Sequence, residues 1–86
     1  MQVDGALVKE QGKAFGIVIV KASAMSSPST AVATRTAFQG LFPGVPIILA
    51  SQNASGEFSY HGRRDIVDLL ASMDASQIPW ERYTFA

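Results

Sequence analysis

The chain has 86 residues and no cysteine, so it can build one hydrophobic core but no disulfide bond, thiolate nucleophile or cysteine zinc site. Seven basic residues balance seven acidic ones, and a neutral chain lacks the electrostatic footprint of a general nucleic-acid binder. His61 is the only histidine, which disfavours a dedicated metal site. We therefore expect no metal, no cofactor and no nucleic-acid partner.

The first predicted elements form a β-hairpin. Residues 6–10 alternate weakly, Gln11-Gly12 is a turn signal, and residues 14–20 form a β-branched strand. In that second strand Phe15, Ile17 and Ile19 point one way while Val18 and Val20 point the other. Because both of its faces are apolar, we expect the strand to be central and covered on both sides.

A helix is predicted next, over residues 28–39, because Ser27 is a good N-cap residue and Pro28 suits the first helical position. Its apolar stripe ends before the stop signal Pro43-Gly44 and consists of Ala31, Thr34, Phe38, Leu41 and Phe42. Residues 45–51 predict a third strand, residues 52–56 a turn, and residues 57–60 a half-exposed outer strand.

The last predicted helix covers residues 63–73, follows Gly62 and has Asp65 in its first turn. One face of this helix carries Ile66, Leu69, Leu70 and Met73. The tail that follows is too apolar to remain in water, so we expect it to pack, with a short strand as one form that it can take. The residues thus predict a single domain over residues 1–86, an α/β fold of two layers in the order ββαββα, with an apolar C-terminal tail.

A right-handed crossover makes strands two and three parallel neighbours, so the expected four-stranded mixed sheet has the order 1-2-3-4. We place both helices on one face of this sheet. The other face, also apolar, then needs a cover, and the candidates are the tail or a second copy of the protein. The expected homodimer has the tail residues Trp80, Tyr83 and Phe85 at or beside its interface.

Two polar clusters at helix starts are candidate anion sites, and the predicted topology places them at opposite ends of the sheet. The first cluster consists of Ser26, Ser27, Ser29 and Thr30. The second contains Arg63 and Arg64. The alternative interpretation is an ordinary N-cap at the first helix and two solvated arginines at the second.

Low charge and a sheet that is apolar on both faces favour a non-enzymatic self-associating or protein-binding module. The alternative function is binding of an anion or a phosphorylated small ligand at a helix N-terminus. No activated nucleophile or paired acid and base predicts catalysis. The start of the chain does not resemble a signal peptide, and the longest apolar run, near residues 15–20, is too short to span a membrane, so we expect a cytoplasmic, membrane-free protein.

Overall fold

The computed structural model of the protein describes residues 2–84. The strands are β1 (Gln2–Glu10), β2 (Lys13–Ile19), β3 (Ile47–Gln52), β4 (Phe58–His61) and β5 (Glu81–Thr84). The α-helices are α1 (Pro28–Phe38) and α2 (Arg64–Ala71). Short 3₁₀ turns at Ala22–Met25, Gln39–Leu41 and Ala75–Gln77 connect them. Among the described residues the order is therefore ββαββαβ, with one strand more than the sequence predicts.

β1 and β2 form the predicted antiparallel hairpin, and Gln11 and Gly12 turn the chain with φ of 51° and 75°. Positive φ at both central residues is the geometry whose twist matches that of the flanking strands. The crossover through α1 then places β3 parallel to β2, as predicted. β4 returns antiparallel to β3.

The tail is not a loose cover, because it adds a fifth strand to the sheet. β5 pairs antiparallel with Gln2–Gly5 of β1, and the strand order is β4-β3-β2-β1-β5. The prediction of four strands is therefore wrong, although the order of those four is confirmed. The tail packs because its residues are apolar. The otherwise unpaired edge of β1 supplies backbone donors and acceptors for β5.

The two helices lie on opposite faces of the sheet, which corrects the prediction that they share one. On the α1 face, Ala31 and Phe38 pack with Val18 and Leu49. The α2 face buries a second set of side chains, namely Ala6, Val8, Phe15, Ile17, Ile48, Ala50, Ile66, Leu70 and Ile78. A strand that is apolar on both sides needs a cover on each side, and here each helix supplies one.

Tail residues complete the cover of the α2 face. Ile78 is buried in the core there, and the Trp80 ring stacks on Phe58 with ring centroids 5.6 Å apart. The Trp80 indole Nε1–H donates to the Ala75 carbonyl at 3.0 Å. Three layers therefore form, with the sheet in the middle.

Gly62 controls how the chain passes from β4 to α2. A Cβ atom at this position would collide with Cδ1 of Ile48 and would lie 3.1 Å from the Ile47 carbonyl oxygen. Glycine, which has no Cβ, allows the backbone to lie this close to β3 without displacing either atom. The tight passage brings α2 directly beneath the edge strand β4.

Candidate functional site

The serine cluster at the start of α1 forms a capping network. Ser27 Oγ accepts a hydrogen bond from the Thr30 N–H at 3.2 Å and donates to Thr30 Oγ1 at 2.9 Å. Ser29 Oγ is 3.4 Å from Ser27 Oγ, and Ser26 Oγ donates to the Ser23 carbonyl at 2.9 Å. These contacts occupy much of the hydrogen-bonding capacity of the cluster, as expected for an N-cap.

Arg63 lies near the C-terminal end of α1, away from the serines, and Arg63 and Arg64 do not form one site. Arg63 lines a cavity with Gln39, beyond the C-terminal end of α1, whereas Arg64 lines another cavity with Tyr60 and Val67. Arg63 is the N-cap residue, with a non-helical ψ of 130°, whereas Arg64 is the first residue of α2, so their side chains leave the backbone in different directions. Each arginine therefore belongs to a different surface.

Among residues 2–84, no strand pairs with the outer edge of β4, so this edge is open. The backbone N–H groups of Gly16 and Val20 donate to the carbonyls of Pro46 and Ala50. The backbone N–H and C=O groups of the even-numbered residues of β3 therefore point to β2, and those of the odd-numbered residues point to β4. In the antiparallel β3–β4 ladder the hydrogen-bonded partners are then Leu49 with His61 and Ser51 with Ser59.

The remaining two residues of β4, Phe58 and Tyr60, direct their backbone N–H and C=O groups away from the sheet. β4 is the last strand on this side of the sheet order. Such an edge is a template for pairing with another extended chain.

A groove runs between this open edge and α2. One cavity of about 440 Å³ lies towards the C-terminal end of α2, with apolar walls from Phe58, Tyr60, Leu70 and Met73. A second cavity of about 410 Å³ lies at the N-terminal end of the helix, beside Tyr60 and Val67. Tyr60 borders both cavities, and partial burial raises the pKa of its hydroxyl. The groove therefore follows the length of β4.

The two ends of the groove differ in charge. Glu57 and Asp74 line the cavity at the C-terminal end of α2, and none of its described lining residues is basic. The Asp74 carboxylate accepts a hydrogen bond from the Ser76 N–H at 3.0 Å, which lowers the pKa of Asp74 and keeps it ionised. The other cavity contains Arg64 together with Asp68. One end is thus acidic and the other mixed.

Of the three residues predicted for a dimer interface, two pack within the chain. Trp80 stacks on Phe58, and the Tyr83 ring meets the Phe42 ring edge to face at 5.0 Å. Phe85 lies outside the described residues. The sequence did not indicate Phe58 and Tyr60 as site residues, although the predicted half-exposed outer strand was the signal that could have found them.

Among residues 2–84, no helix is long and apolar enough to cross a membrane. Within these same residues, no three or more His, Cys, Asp or Glu side chains lie close enough together to hold a metal ion. Comparison of the sequence and the fold with protein-family models, with curated proteins and with solved structures finds no match.

Proposed function

We propose that the protein is a non-enzymatic protein-binding module that adds an extended segment of a partner as a further strand beside β4. The observation that carries this proposal is the open edge of β4 next to the groove along α2. Main-chain hydrogen bonds to Phe58 and Tyr60 would provide affinity, and alternate side chains of the segment would enter the groove and provide specificity.

The groove favours a particular kind of segment. The walls formed by Phe58, Leu70 and Met73 suit an apolar side chain, because burial of apolar surface is the main favourable term in association. Glu57 and Asp74 favour a lysine or arginine at the same end. The preferred segment is therefore extended, with alternating apolar residues and a basic residue near the end that pairs with Phe58.

A short random peptide library displayed on phage tests this proposal, with the selected peptides resynthesised and their affinities measured. We expect selection of alternating apolar residues with a basic residue. Ala71→Arg should abolish binding, because Ala71 is an exposed residue that lines the acidic cavity. The matched control is Ala37→Arg, which changes an exposed alanine near the end of α1 on the other face of the sheet. Equal binding by the two variants would contradict the proposal.

Self-association is a second candidate, and a different surface now favours it. Among the described residues each face of the sheet carries a helix, so neither face is bare in the way that the homodimer prediction requires. However, within the described part of the chain β5 pairs only with Gln2–Gly5 of β1, and the nearby Leu7 is 45% exposed. Sedimentation from micromolar to near-millimolar concentration tests the homodimer, which Leu7→Ser should weaken. A constant monomer mass would leave peptide binding as the remaining proposal.

A further inference from the structure

A third cavity lies on the α1 face of the sheet, away from the peptide groove. It is an open surface pocket of about 460 Å³ between the C-terminal half of α1, the start of β3 and the turn before α2. Its lining residues are Val32, Arg35, Thr36, Gln39, Pro46, Ile47 and Arg63. Two guanidinium groups and no carboxylate are present among these described lining residues, so the cavity is cationic.

Arg35 is the first reason to regard this cavity as a ligand site. Its Nε atom is buried and has no hydrogen-bond partner, and no ion pair of Arg35 is found among residues 2–84. Buried donors in native proteins are almost always paired, and leaving one on a charged group unpaired is costly. An acceptor supplied by a ligand would satisfy this N–H once the Arg35 side chain shifts to admit it, because Nε is closed to solvent-sized atoms in the free protein.

The uncharged polar side chains of the cavity already donate hydrogen bonds to backbone carbonyls of the protein. Thr36 Oγ1 donates to the Val32 carbonyl at 2.9 Å. The Gln39 amide nitrogen donates to the carbonyls of Phe42 and Val45, at 3.0 and 2.8 Å. The free donors that remain in the cavity are therefore those of the two arginines.

Arg63 provides the second cation and is held in place by Asp65. Its Nε and one terminal nitrogen donate to the two carboxylate oxygens of Asp65, at 3.2 and 2.9 Å. A guanidinium carries five N–H donors in a rigid fork, so N–H groups of Arg63 remain for another acceptor. Lys13 Nζ, 3.7 Å from Asp65, offsets the charge of that carboxylate.

We propose that the Arg35–Arg63 cavity binds a phosphate group carried on a small organic molecule. Two arginine forks match the several acceptor oxygens of a phosphate. Val32, Pro46 and Ile47 add an apolar wall on which the organic part of the ligand can pack. This site is independent of the peptide groove, because none of the lining residues is shared.

Titration of the protein with phenyl phosphate, followed by NMR at the Arg35 Nε–H group, tests the proposal. We expect a saturable shift of this signal in the millimolar range, and no such shift with phenol, which lacks the anion. A wild-type signal that does not move with phenyl phosphate, or that moves equally with phenol, would overturn the proposal. This measurement does not depend on any variant being folded.

Two substitutions test whether phenyl phosphate binds in the Arg35–Arg63 cavity. Arg35→Met should weaken phenyl phosphate binding by about 10-fold or more, as expected for loss of a charge-assisted hydrogen bond. The matched control is Arg64→Met, which removes the same charge next to Arg63 but outside this cavity and should change affinity by about twofold or less. Equal weakening in the two variants would show nonspecific attraction to positive charge and would also overturn the proposal.

Discussion

Ile48 and Leu49 provide a direct test of the three-layer arrangement. They are consecutive residues in β3, each with 0% of its surface exposed, and they belong to separate core clusters on opposite faces of the sheet. In a two-layer fold one of the two would face solvent in a monomer. Replacing each by alanine therefore reports on one face at a time.

Both substitutions should be strongly destabilising. Truncation of a fully buried isoleucine or leucine to alanine costs about 2–5 kcal/mol, because apolar contacts are lost and a cavity remains. The whole fold of a chain of this length is worth roughly 4–13 kcal/mol, at about 0.05–0.15 kcal/mol per residue. Either variant thus loses a large fraction of the free energy of unfolding.

Urea denaturation followed by tryptophan fluorescence measures these losses. The control is Val32→Ala in α1, whose side chain is 49% exposed, and it should stay within about 0.5 kcal/mol of wild type. Similar large losses in Ile48→Ala and Leu49→Ala are expected. A loss below about 0.5 kcal/mol in one of them would mean that its face of the sheet is bare and would refute the reasoning.

Three further predictions concern electrostatics and the tail. The hydrogen bond from Arg63 lowers the pKa of Asp65, so this contact stabilises the fold above the unfolded-state pKa of Asp65 and is lost as pH falls through the folded value. NMR titration should show the Asp65 pKa rising in Arg63→Met, and an unchanged value would exclude this pairing. Burial raises the pKa of Tyr60 and Tyr83, and Glu81 adds to the effect at Tyr83, so ultraviolet titration should show both phenols ionising above their ordinary value. The raised pKa values stabilise the fold below the unfolded-state pKa of tyrosine, and this stabilisation is lost as the pH rises through the folded-state pKa values. Ionisation of both phenols at the ordinary pKa of tyrosine would contradict their burial. Trp80→Ala removes the ring stacked on Phe58 and should reduce the free energy of unfolding by about 2–4 kcal/mol in urea, followed by circular dichroism, whereas a change below about 0.5 kcal/mol would mean that the tail is not part of the core.

Local patterns predicted most of the elements. The two apolar faces of β2 are visible in the alternation of Ile17 and Val18, and both residues are fully buried. Ser27 and Pro28 correctly predicted where α1 begins. The right-handed crossover rule gave the parallel pairing of β2 with β3, because it depends on chain direction and handedness alone.

The position of α2 could not be predicted in the same way. Helix α2 follows an antiparallel hairpin, and no handedness rule decides which face of the sheet it covers. The choice depends on packing in three dimensions: Ile66 and Leu70 fit against Ile48, while the Phe42 ring packs closely over Gly16 on the opposite face. The groove beside β4 forms only because α2 covers this face of the sheet. The candidate site therefore could not be predicted from the sequence either.

The surroundings of the arginines could not be predicted from the sequence either. The sequence predicted that Arg63 and Arg64 begin a helix, but neighbouring side chains at a helix start diverge, and their surroundings come from distant segments. Arg35 lies in the middle of a predicted helix, where nothing in the sequence distinguishes it from a solvated residue. Its importance depends on one buried, unpaired nitrogen that only the structure shows.

Amide hydrogen exchange along β4, measured with and without a selected peptide, tests the proposed binding edge most directly. In the free protein the amides of Ser59 and His61, which bond to β3, should exchange slowly, whereas those of Phe58 and Tyr60 should exchange quickly. Peptide binding should protect Phe58 and Tyr60 as the new strand pairs with them. Rapid exchange of Phe58 and Tyr60 in the saturated complex would contradict strand addition at β4.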